Sequence, residues 1–121
     1  MAARAGRVHP GLVVYVHVPF CARVCTYCHL VALRTPGRAP TAAYVEALRR
    51  EIALLAPVVE GLLVSSIHVG GGTPTILLAA ELDALLGDLV AAFRPGAGFA
   101  IGVEAHPNST TPDRVEALAR H

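Results

Sequence analysis

The stretch Leu12-Val-Val-Tyr-Val-His-Val18 runs through Pro19-Phe20 into Cys21-Ala-Arg-Val-Cys25-Thr-Tyr-Cys28. Its first part is rich in β-branched and aromatic side chains and predicts a buried first strand that ends at Pro19. The second part holds all three cysteines of the chain. The spacing C-x3-C-x2-C offers three thiolates from one short loop, all able to point at one centre. Three is the informative number. Four thiolates close a zinc or iron–sulfur site; three leave one metal position for a ligand that is not protein, which points to chemistry rather than scaffolding.

Outward from this stretch the chain alternates. Residues 34–40 form a loop marked by Pro36, Gly37 and Pro40. Thr41 is the expected N-cap of a helix in which Tyr44, Val45, Leu48, Ile52 and Leu55 recur at helical spacing, ended by Pro57. Residues 62–69 read as a second strand, halted by Gly70-Gly71-Gly72. Leu78, Leu82, Leu85, Leu86, Leu89, Val90 and Phe93 trace one face of a second helix, closed by Pro95-Gly96. Phe99, Ile101 and Val103 alternate in a third strand, and Thr111-Pro112 opens a third helix as N-cap and first turn. The order β-α-β-α-β-α predicts an α/β fold of three βα units with parallel strands and right-handed crossovers, either an open sheet or part of a barrel.

The chain has 121 residues, enough for one modest domain. Hydrophobic residues make up 54% and charged residues 16%, so a core is expected rather than disorder. A formal net charge of +1 gives no electrostatic case for nucleic acid or an anionic membrane. No apolar run is long enough for a membrane span. The clustered, odd cysteine count without an export signal argues against a disulfide framework and for a reducing cytoplasm.

In parallel α/β proteins ligands gather at the C-terminal ends of the strands. The unusual residues all fall there. The cysteine loop follows strand one, Gly70-Gly71-Gly72-Thr73-Pro74 follows strand two, and Glu104-Ala105-His106-Pro107 ends strand three. The glycine run matches neither the P-loop nor the dinucleotide-binding fingerprint.

These motifs, with Tyr15-Val-His-Val-Pro-Phe-Cys21 before them, stand in the order and spacing of a known family. The chain from Leu12 onward resembles the N-terminal half of the radical S-adenosylmethionine (SAM) enzymes related to oxygen-independent coproporphyrinogen III oxidase. The likeness leans toward the haem-chaperone branch. It implies a partial radical SAM (βα) barrel, with residues 1–11 as an N-terminal tail and 12–121 as a truncated N-terminal half of the core. The family barrel has about six βα units, which at ordinary unit length needs ~200 residues or more.

The resemblance also implies a set of roles. Cys21, Cys25 and Cys28 would each bind one iron of a [4Fe–4S] cluster, and SAM would chelate the fourth iron. The reduced cluster would donate an electron into the sulfonium, releasing a 5′-deoxyadenosyl radical. Gly71, Gly72 and Thr73 would contact the methionine amino group. Tyr15 and Tyr27 align with positions near SAM and the cluster, Tyr27 as an aromatic shield against water. Glu104 aligns with an acidic SAM contact that accepts from ribose hydroxyls or the ammonium group. The implied partners are SAM, an electron-donor protein, and haem or porphyrin in the intact relatives, with no nucleic acid and no membrane span. No residue is given a catalytic role.

Three features depart from the family pattern. Leu30 stands where the oxidases usually carry a further cysteine, which leans toward haem handling. His29-Leu30 replaces the Asp-Phe usual in the chaperone branch. His106 replaces a common Asn. Two other readings therefore stand beside the leading one: the oxygen-independent oxidase itself, and a non-catalytic zinc or cluster-binding fragment. In the zinc case His17, His29, His68 or His106 would be the fourth ligand. His17 is expected as a satisfied rim histidine and His68 as facing a barrel interior.

Overall fold

A computed structural model describes residues 11–35, 39–93, 96 and 98–121. The expected tail up to residue 10, Pro36 and Gly37 of the loop, and the helix-closing Pro95 lie outside the described residues. The elements in chain order are strands β1 (Leu12–Val18), β2 (Phe20–Cys21) and β3 (Leu33–Arg34), helix α1 (Ala39–Leu55), strand β4 (Val64–Gly71), helix α2 (Ala79–Phe93), strand β5 (Ala100–Val103) and helix α3 (Pro112–Ala119). Short 3-10 turns at Ala56–Val59, Pro74–Ile76 and Pro107–Ser109 complete the connections.

The main sheet has the order β1-β4-β5 and both pairings are parallel. β2 and β3 form a small parallel pair of their own, Phe20 opposite Leu33 and Cys21 opposite Arg34. The expected parallel α/β architecture is therefore present, and β1 has the bounds read from sequence.

Period-two alternation divides the main sheet into two faces. Val16 and Val18 of β1 and Ile67 and Val69 of β4 are buried together with Leu82, Leu85, Leu86, Leu89 and Phe93 of α2 and Val45 and Ile52 of α1. The apolar stripes predicted for the helices thus meet the sheet, except that Leu55 at the end of α1 is 43% exposed. Arg49 donates to Asp88 at 2.5 Å and ties α1 to α2. The opposite face is uncovered: Val13 is 60% and Tyr15 53% exposed. Among the described residues no helix is long and apolar enough to cross a membrane.

Three boundaries differ from expectation. α1 begins at Ala39, so Thr41 lies inside the first turn and is buried there rather than capping the helix. Pro40 is at home in a first turn, whose amides lack helical acceptors in any case. β4 starts at Val64 and runs through Gly70 and Gly71, which pair with His17 and Val18, so the glycines extend the strand instead of halting it. Leu78 precedes α2, is 42% exposed and donates its N–H to Glu81 Oε2 at 2.7 Å; it serves the helix start, not the apolar face. Thr111 is the N-cap of α3 with Pro112 in the first turn, as the sequence indicates.

Candidate functional site

The C-terminal rim of the sheet is built from three stretches. β1 delivers Pro19, Phe20 and Cys21, all buried. Tyr44 from α1 anchors this corner. Its hydroxyl donates to the His17 carbonyl at 2.5 Å, and its ring meets Phe20 edge-on with centroids 5.3 Å apart. Burial, and then the Glu51 carboxylate, raise the Tyr44 pKa. Tyr44 is thus a core residue with a polar handle, as expected.

β4 delivers the glycine run. Gly71 has φ of +113°, a conformation that disfavours any side chain, and a Cβ there would lie 2.8 Å from His17 Nδ1. A Cβ on Gly72 would lie 2.8 Å from Cys21 Sγ and 2.7 Å from the Phe20 carbonyl oxygen. The turn therefore presses bare backbone against the first cysteine. The Gly72 N–H donates to the Val18 carbonyl at 2.8 Å, and the Thr73 hydroxyl donates to Cys21 Sγ at 3.6 Å. The 3-10 turn that follows holds Thr75, fully buried.

β5 delivers Glu104, whose N–H donates to the Val69 carbonyl at 2.9 Å. One carboxylate oxygen, Oε2, accepts from the Gly71 N–H at 3.3 Å; the other, Oε1, lies 3.1 Å from His68 Nε2. The next loop is fastened by Thr75, whose Oγ1 accepts from the His106 N–H at 3.1 Å and shares a hydrogen with Ser109 Oγ at 2.7 Å. His106 itself accepts from the Asn108 N–H through Nδ1 at 3.2 Å.

The anticipated site residues thus fall into three groups. Tyr15, Gly71 and Glu104 meet on the open face beside His68. Cys21, Gly72 and Thr73 meet where the glycine turn crosses the end of β2. Cys25, Cys28 and Tyr27 lie out on the loop: Cys25 is exposed, Cys28 half-buried and Tyr27 84% exposed. A hydrogen bond with Cys25, and then the negative charge on that thiolate, raise the Tyr27 pKa. Among the described residues no three metal-ligating side chains are gathered at one point.

His17 is a satisfied rim histidine as expected, its Nε2 2.8 Å from the Val31 carbonyl oxygen at the far end of the cysteine loop. Thr75 is the rim residue that sequence reasoning passed over, and His68, named there only as a possible zinc ligand facing a barrel interior, is the partner of Glu104. The signal for His68 was its alternation with Ile67 and Val69, which puts it on the Tyr15 face.

The donor set suits a thiolate-bound iron–sulfur group. It comprises three free cysteines in one short loop, one of them seated under a glycine whose missing side chain gives the sulfur its room. A concavity of about 710 Å³ lies elsewhere, between the Ala56–Leu63 segment and the end of α2. Among the described residues that line it Glu60 is the one titratable group, so it is not where this chemistry is assembled.

No family model matches the chain. It is 36% identical over 107 residues to oxygen-independent coproporphyrinogen III oxidase of Paracoccus denitrificans, covering 88% of this chain and 24% of the relative. With the Bradyrhizobium diazoefficiens protein of the same name it shares 40% over 108 residues, 87% of this chain and 24% of the relative. With the heme chaperone HemW of Escherichia coli it shares 31% over 105 residues, 87% of this chain and 28% of the relative. The solved structure of coproporphyrinogen III oxidase (HemN) from Escherichia coli, described as a radical SAM enzyme, superposes with a TM-score of 0.83 at 34% identity, covering 91% of this chain and 25% of that one. The chain spans about a quarter of the length of these relatives. Fold and rim together define the class, a partial parallel βα barrel of the radical SAM type. Within that class its relatives over this span are oxygen-independent coproporphyrinogen III oxidase and HemW.

Proposed function

We infer that this segment holds a [4Fe–4S] cluster and SAM for a protein of haem or porphyrin metabolism. The observation that carries the reading is the rim itself. Gly71 is bonded to Glu104 and Thr73 to Cys21, so the glycine turn joins the first cysteine to the acidic end of β5. Cys21, Cys25 and Cys28 would hold the cluster. Gly71, Gly72, Thr73, Tyr15 and Glu104 would seat SAM, with Tyr27 beside the cysteine loop. What the cluster supplies when bound is a single low-potential electron for cleaving the sulfonium of SAM, which calls for an electron-donor protein. Three free cysteines suit a reducing compartment. On this reading residues 12–121 are the N-terminal βα units of a larger core.

The test is anaerobic reconstitution. About four iron and four sulfide per chain are expected, with an EPR signal of the reduced cluster that changes when SAM is added. One zinc per chain and no response to SAM would overturn the assignment.

Within the group we assign the haem-chaperone type, on Leu30, the second position after the third cysteine, where the oxidases usually carry a further one. A specific observation favours the oxidase instead: identity reaches 40% with a protein of that name against 31% with HemW. The whole protein decides. Stoichiometric haem binding without consumption of coproporphyrinogen III supports the chaperone; anaerobic decarboxylation of coproporphyrinogen III establishes the oxidase.

A further inference from the structure

The open face of the sheet has a packing logic that the cofactor reading does not use. Tyr15, His68 and Gly102 lie side by side in register on β1, β4 and β5. One step toward the rim, His17 pairs with Gly70, and Glu104 follows directly on β5. The first row is large, large, small; the second is large, small, large. Glu104 leans diagonally across Gly70 onto His68. A Cβ on Gly70 would lie 2.9 Å from Glu104 Cδ and 3.0 Å from the Tyr15 hydroxyl oxygen. A Cβ on Gly102 would lie 2.9 Å from His68 Nδ1. The two glycines thus make the room in which the carboxylate and the imidazole meet.

His68 is held from two other sides as well. Its ring stacks on Tyr15 with centroids 5.7 Å apart and planes 16° from parallel, and its Nε2 meets Glu104 Oε1 at 3.1 Å. Both side chains remain near half exposed, 43% for His68 and 50% for Glu104. The carboxylate therefore keeps acceptor capacity toward the open face after its bonds to His68 and the Gly71 N–H are counted.

We propose that His68 is a positioning residue, locked by Tyr15 and Gly102, that fixes the Glu104 carboxylate against the Gly71 amide and aims its free lone pairs at a hydroxyl or ammonium donor of the ligand. The identity of that ligand as SAM rests on the function proposed above. A side chain that merely filled space would need the ring. A positioning residue needs the N–H, because a carboxylate at the end of a strand otherwise samples several rotamers before it can accept from a ligand.

The experiment separates the two. His68→Phe keeps a ring to stack on Tyr15 and removes the donor; His68→Gln restores an N–H. In the cofactor-free chain, NMR follows the Gly71 amide proton, which the bond to Glu104 shifts downfield. His68→Phe is expected to move it upfield, as Glu104→Gln does, and His68→Gln to return it most of the way. In the reconstituted chain, calorimetry with SAM is expected to show affinity about tenfold weaker for His68→Phe, the usual cost of losing a partner that orients a ligand-binding group. The double variant should cost little more than Glu104→Gln alone. Should His68→Phe fail to fold, His68→Met, similar in reach and without a donor, carries the same comparison.

An unmoved Gly71 amide in His68→Phe would overturn the positioning role even where Glu104→Gln weakens SAM. A moved amide with SAM affinity indifferent to both variants would leave the positioning standing and remove Glu104 from the cofactor site.

Discussion

The glycine rim and the cysteine loop adjoin each other and are built on opposite terms. The rim is cross-linked within the protein: hydrogen bonds join Gly71, Thr75, Glu104 and His106 between β4, β5 and their loops and tie Gly72 to Val18 and Thr73 to Cys21, and Pro74 and Thr75 are buried. The cysteine loop is tied mainly at its ends, by Leu33 N–H to the Pro19 carbonyl, Thr35 N–H to the Cys21 carbonyl and His17 to Val31. Between those ties Val24, Tyr27, Leu30 and Val31 are exposed and Cys25 lies open. The difference teaches where specificity and metal affinity are each stored. On the proposed reading, the contacts that seat SAM are made by the sheet. A thiolate set on a loop would acquire its geometry as it binds its metal, so that binding and ordering are one free-energy change.

The sharpest way to break this contrast is to take away a loop cysteine. Cys25→Ala should abolish nearly all iron incorporation on reconstitution while leaving the stability of the cofactor-free chain within about 0.5 kcal/mol, since an exposed side chain contributes little packing. Iron analysis beside urea denaturation checks both halves, and a cofactor-free chain that unfolds would refute the separation. Next in size is Leu85→Ala, in the fully buried face of α2, which should cost about 2–5 kcal/mol by denaturation. Its effect belongs to the scaffold and should lower rim and loop signals together.

Gly72→Ala tests the seam between the two regions. The added methyl would press on Cys21 Sγ and the Phe20 backbone, so a loss of about 1–3 kcal/mol is expected, with poorer cluster yield as well. Full yield at unchanged stability would mean that the rim does not place the cysteine. The smallest effect lies away from both regions. Asp83 has its pKa lowered, first by the hydrogen bond from His121 and also by Arg120. Its folded value lies below its unfolded one, so its contribution is present above the ordinary carboxylate range and is lost as pH falls through the lowered value. Asp83→Asn should flatten that part of the stability–pH curve and leave SAM and iron binding unchanged. Asp83 and its partners remain partly open to solvent, so the change is slight.

How much could be read beforehand follows the same division. Alternation and helical spacing placed β1, the stripe of α2 and the cap of α3, because these are local patterns backed by burial. The cysteine spacing and glycine run stood out because each is odd for a plain strand end, whereas Glu104 stood out only through the family resemblance. The extension of β4 through Gly70 and Gly71 was not, since glycine reads locally as a break and only the pairing with His17 and Val18 overrides it. The start of α1 was missed because Thr41 resembles a cap and its burial is a tertiary fact. The joining of His68 to Glu104 depends on the register of β4 against β5, which no single stretch encodes.

The near-contact between the absent side chain of Gly72 and the sulfur of Cys21 bears on descent as well as on structure. The two positions lie 51 residues apart in sequence, yet the dependence between them runs one way. A side chain acquired at 72 presses on the cysteine, whereas loss of the cysteine leaves glycine at 72 still held by the Phe20 carbonyl oxygen, 2.7 Å from where a Cβ would stand. Among homologous sequences Cys21 should be accompanied by glycine at 72, and that glycine should outlast the cysteine.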